Sequence, residues 1–201
     1  MVHLMMVPRV LAAAQASPTM WYFTRALAVA AYVALAVTVM LGILRSLARR
    51  TSERLSWVVD EIHQYVATLA AVLVAGHLVT LLLDSFLPFS LRNLFIPLNE
   101  PYRPLATNLG VFSFYSLVVV WLSSWAKQSL SYGFWRALHY VSFVSFVLIT
   151  LHGWLGGSDS KEPFMRGIYV GCSAAIAFLT LMRLFAAPRR QAVATPQATR
   201  V

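Results

Sequence analysis

Charge is scarce in this sequence. Only 11% of its 201 residues are Asp, Glu, Lys or Arg, against about a quarter in an ordinary soluble domain. With 59% hydrophobic residues, there is too little polar surface to cover a water-soluble fold. Cysteine is nearly absent. The single Cys172 lies in an apolar run, which excludes an intrachain disulfide and any multi-cysteine metal site, and leaves a small core residue as its reading. There is no C-x-x-C-H, so no covalent haem attachment is expected. Only nine glycines occur and none forms G-x-G-x-x-G, so these residues offer no usual dinucleotide fingerprint. Strict apolar–polar alternation, the mark of membrane β-strands, is missing too.

Long apolar runs are what the sequence has. Lipid cannot satisfy backbone amides, so such runs are helical when they span, and about 20 residues suffice. They predict an all-α polytopic transmembrane bundle of about five spanning helices: residues 22–44, 57–83, 105–125, 134–155 and 164–185. Residues 1–20, broken by Pro8, Arg9 and Pro18, read as an N-terminal arm rather than a cleaved signal. Residues 188–201 read as a disordered basic cytoplasmic tail. Residues 84–106 form a Pro-rich connection that holds a short amphipathic piece, "LRNLF". Its apolar residues, Phe86, Phe89, Leu91, Leu94, Phe95 and Ile96, suit a segment lying on the membrane or capping a site.

The net charge of +9 does not indicate nucleic acid, because the basic residues sit mostly at helix ends and carry no recognition motif. They orient the bundle instead. With the "RSLARRTSER" loop inside, ten Lys and Arg fall on the inner side and six on the outer. The N-terminus is then outside and the C-terminus inside.

Four histidines stand within the second and fourth runs. His63 and His77 are 14 positions apart, and His139 and His152 are 13 apart. At about 1.5 Å per residue each pair spans roughly 20 Å. The two runs are parallel, because one run lies between them. His63 and His139 therefore share the inner level, and His77 and His152 the outer. Intramembrane ionisable residues are costly and point to function. Facing imidazoles at one level suit the two axial positions of a haem iron, so the set predicts two stacked bis-histidine haems. Arg136 at the inner level and Arg103 at the outer are the candidate partners of haem propionates. Small residues beside the ligands, Gly76 and Gly153 among them, would leave room for a porphyrin. Fourteen steps keep His77 about 40° from the face of His63, but thirteen put His152 about 140° from that of His139, so the fourth helix must distort or the haems must differ in azimuth. The rival is a haem-free proton-coupled or metal transporter that uses the same histidines.

Paired histidines at these spacings, with "RALHY" and "LHG" around the second pair, resemble the transmembrane domain of the ferric reductase and NADPH oxidase superfamily, over about residues 22–186. The resemblance implies b-type haems that pass single electrons from a cytosolic flavin to an acceptor outside. The large enzymes of that superfamily have one more helix and a cytosolic flavin and nicotinamide module. This sequence is closer to the stand-alone bacterial membrane subunits, which implies a separate flavin/NAD(P)H reductase as donor, an unknown outer acceptor and a place in the bacterial plasma membrane.

Overall fold

The computed structural model describes residues 19–49, 52–84, 89–98 and 103–186. The expected basic tail and residues 1–18 of the expected arm lie outside these. Seven α-helices occur among the described residues: α1 (Thr19–Ala48), α2 (Glu53–Leu83), α3 (Leu91–Phe95), α4 (Pro104–Trp125), α5 (Tyr132–His139), α6 (Val141–Gly156) and α7 (Pro163–Phe185). Five spans are long and apolar enough to cross a membrane: α1, α2, α4, α5 with α6, and α7. The protein is thus an all-helical integral membrane protein.

The helix ends follow local chemistry. Pro104 and Pro163 stand in the first turns of α4 and α7, where no amide donor is needed. Ser90 and Asn93 form a capping box on α3, which fixes the start of this short helix. The expected arm is shorter than 20 residues, since Thr19 and Met20 already belong to α1.

α1 is the hub. It packs along α2 and against α6 and α7, while α4 packs along α6. Its buried face, Tyr32, Ala36 and Ile43, meets Phe146 of α6 and Met165, Tyr169 and Ile176 of α7. The rings of Tyr32 and Tyr169 meet edge-on at 4.9 Å. Most other large apolar side chains point outward, as expected where lipid replaces water. α2 packs closely on α1 alone, and no comparable packing joins it to α4 or α6. An opening is therefore left between the two histidine-bearing elements.

The fourth span is broken. α5 ends at His139 and α6 starts at Val141, with Tyr140 between them. There the Phe143 amide bonds the Tyr140 carbonyl three residues back at 3.1 Å. Three-residue bonding turns the chain about 120° per residue instead of about 100°. The overwinding moves His152 towards the azimuth of His139 by about 20° per residue so bonded, which is a part of the offset of about 140° that the 13-residue spacing leaves.

Candidate functional site

α2 carries His63 and His77, the last residue of α5 is His139, and α6 carries His152. The ring centres of His63 and His139 are 6.2 Å apart with planes at 63°. His77 and His152 line one cavity of about 230 Å³. The structure thus brings the four together in two pairs, a first at the Arg45 end of α1 and a second near its start.

Each imidazole is anchored through the same nitrogen. His63 Nδ1 donates to the Thr38 carbonyl at 3.0 Å, His77 Nδ1 to the Thr24 carbonyl at 3.1 Å, and His152 Nδ1 to the Ala106 carbonyl at 2.7 Å. His139 Nδ1 lies 3.4 Å from the Ser124 hydroxyl oxygen, whose own proton goes to Val120 O at 2.8 Å. A carbonyl can only accept, so in His63, His77 and His152 Nδ1 holds the proton and the lone pair is on Nε2. A bond from the second nitrogen to a carbonyl is how metal-ligating histidines are commonly oriented.

Helical carbonyls are usually shadowed by the side chain four residues on. Here that residue is small. Gly42 follows Thr38, Ala28 follows Thr24, and Gly110 follows Ala106. A Cβ at Gly110 would stand 2.7 Å from His152 Cε1 and 2.8 Å from Nδ1, while one at Gly42 would meet His63 Cε1 at an ordinary 3.4 Å. Sequence reading missed these positions. The signal was small residues on the helices facing the histidines, not beside them in sequence. Gly76, expected to make room for a cofactor, faces a neighbouring helix instead, where a Cβ would meet Leu27, while Gly153 lines the second pair's cavity, where a Cβ would meet Tyr169.

The two arginines are committed elsewhere in part. Arg103, in a left-handed backbone conformation with φ 43°, lines the second pair's cavity and donates to the carbonyls of Gly156 at 3.0 Å and Leu155 at 3.4 Å. It thereby caps the last turn of α6, the helix of His152. Arg136 is exposed and bonds tyrosines one turn away on each side, Tyr140 at 2.9 Å and Tyr132 at 3.4 Å. Phe89 and Leu94 line the second cavity too. α3 is held over it by Leu98, whose amide donates to Asn108 Oδ1 at 2.6 Å, and by the Tyr115 hydroxyl, which donates to Phe95 O. Phe86, expected to share this role, lies outside the described residues.

Two donors at each level are too few for a bare metal ion, which takes about four protein ligands in a closed site. Among the described residues no group of three or more His, Cys, Asp or Glu could hold one. Two facing imidazoles do fit a porphyrin iron, because the macrocycle brings its own equatorial nitrogens. Metal–nitrogen bonds of about 2 Å on both sides would put the ring centres about 6 Å apart, the separation found in the first pair.

Residues 27–150 match the family described as ferric reductase like transmembrane component. The chain belongs to that family. The match takes in His63, His77 and His139 and ends just before His152. No curated protein and no solved structure matches the chain. Membership in this ferric reductase-like family indicates transmembrane electron transfer of a reductase-like kind, a haem-binding membrane domain and a redox partner.

Proposed function

We propose that this ferric reductase-like chain carries single electrons across the membrane on two non-covalent b-type haems, one held by His63 and His139 and one by His77 and His152. What supports it most is the common anchoring of His63, His77 and His152, each with Nδ1 bonded to a carbonyl of a neighbouring helix and Nε2 left as the ligand atom, with His139 6.2 Å from His63 between ring centres. Haem iron supplies the one-electron chemistry when bound. The chain supplies the rest. It fixes the azimuth of each ring, would hold each haem between two imidazoles, and covers the second pair with Phe89 and Leu94.

Residues 21–187 act as one haem-binding domain with the N-terminus outside, in a bacterial plasma membrane. The first pair then faces the cytosol and takes electrons from a separate flavin/NAD(P)H reductase. The second pair faces an outside acceptor, and the inside-negative potential favours that direction by about 2.3 kcal/mol per 100 mV for a full crossing. Arg103, at the second cavity, serves the propionate end of the haem there.

Liposomes test this reading. The protein is reconstituted with ferricyanide trapped inside and an impermeant reductant added outside. The proposal expects reduction of the trapped ferricyanide, lost in both His63→Ala and His152→Ala. A colourless protein that leaves ferricyanide oxidised would return the histidines to proton or metal transport.

A further inference from the structure

The first pair has two polar neighbours with an N–H that nothing among the described residues satisfies. Arg45, in the last turn of α1, donates from Nη2 to Asp60 at 2.6 Å. Its Nε is buried with no hydrogen-bond partner among the described residues, and so is Trp135 Nε1. Both are donors only, and a buried donor left unmet is costly.

These donors share a neighbourhood. Trp135 stacks on His139 with ring centres 5.2 Å apart, and Lys127 Nζ sits 4.7 Å from the Trp135 ring. Asp60, which holds Arg45, lies three residues before His63, and Trp135 lies four before His139. At about 1.5 Å per residue, both are roughly 5 Å closer to the end of the bundle than the imidazoles. The arrangement is two N–H donors and a nearby ammonium, one turn below a pair of ligand nitrogens. The chemistry that completes it is an oxyanion carried by the group between the histidines.

We propose that Arg45 Nε and Trp135 Nε1, backed by the charge of Lys127, bind a propionate carboxylate of the haem at the first pair. The inference rests on the haem reading above. It transfers to Arg45 and Trp135 the part expected of Arg136, whose guanidinium is exposed and already shared between Tyr132 and Tyr140. The same donors could instead take the phosphate of an anionic lipid.

The test uses the full chain in nanodiscs and two conservative variants. Trp135→Phe keeps the ring on His139 and removes the N–H. Arg45→Lys keeps the charge and a donor for Asp60 but removes Nε. Redox titration should show the midpoint potential of one haem lowered in each variant, because a less compensated carboxylate stabilises ferric iron. That haem should be the one lost in His63→Ala, and the other potential should stay put. If either variant fails to assemble, the other still decides. Unchanged potentials with both haems retained would overturn the inference and leave the haem reading standing. So would unchanged potentials with less phosphatidylglycerol retained per protein, which would assign the site to lipid. A wild-type chain that binds no haem would overturn both.

Discussion

Replacing Gly110 with alanine should loosen one haem and spare the other. The new Cβ would lie 2.7 Å from His152 Cε1, whereas non-bonded carbons rest at about 3.5–4.0 Å. The ring must therefore retreat by about 1 Å. Its bond from Nδ1 to Ala106 O, now 2.7 Å, would lengthen to about 3.6 Å, which is no longer a hydrogen bond. Losing the partner that orients a metal-ligating histidine typically weakens the bound group by about 10–100-fold. Alanine is also the better helix former, so α4 should not melt. Gly42→Ala is the internal control, since its Cβ would meet His63 Cε1 at an ordinary 3.4 Å and should leave both centres intact. Haem retention on dilution and the two midpoint potentials, measured on monodisperse protein, check this. A Gly110→Ala chain that keeps both haems at wild-type potentials and affinity would refute the assignment of Gly110 as the residue that seats His152.

The pairing of the histidines predicts that His77→Ala and His152→Ala disturb one redox centre while His63→Ala and His139→Ala disturb the other; a shared effect of His77→Ala and His139→Ala in redox titrations would break the pairing. Arg103→Ala should shift the potential of the centre served by His152 or slow delivery to an impermeant outer acceptor, measured by stopped flow, with reduction of the other haem unchanged. Leu94, buried over the second cavity, should on replacement by aspartate admit water and shift that same potential, whereas Leu91→Asp, at a position 63% exposed, should leave it in place.

The five spans were legible because run length is the signal a bilayer imposes, whereas the prolines that open α4 and α7 and the Ser90 cap of α3 were not read as end signals. The two-level placement of the histidines followed from helical rise alone. The break at Tyr140 was one of two outcomes that the 13-residue spacing allowed, and its place was not legible, since neither proline nor glycine occupies it and the distortion comes from how α5 and α6 hydrogen-bond there. Gly110 and Gly42 were opaque for another reason. In an apolar helix a glycine reads as general packing, and only the position of a facing imidazole shows that it uncovers a carbonyl. Arg136 was favoured by its place one turn before His139, but helical proximity did not reveal that flanking tyrosines hold its guanidinium. Arg45 lies on a different helix, so no spacing along the chain connects it to His139.

The most direct measurement is the amount of haem and iron per chain in the purified protein, with the haem extracted into pyridine. The account predicts two haems per chain, both extractable, with the spectrum of b-type haem, low-spin iron in both oxidation states and full loss of one centre in His152→Ala. No haem, a single haem, or one held covalently would contradict it.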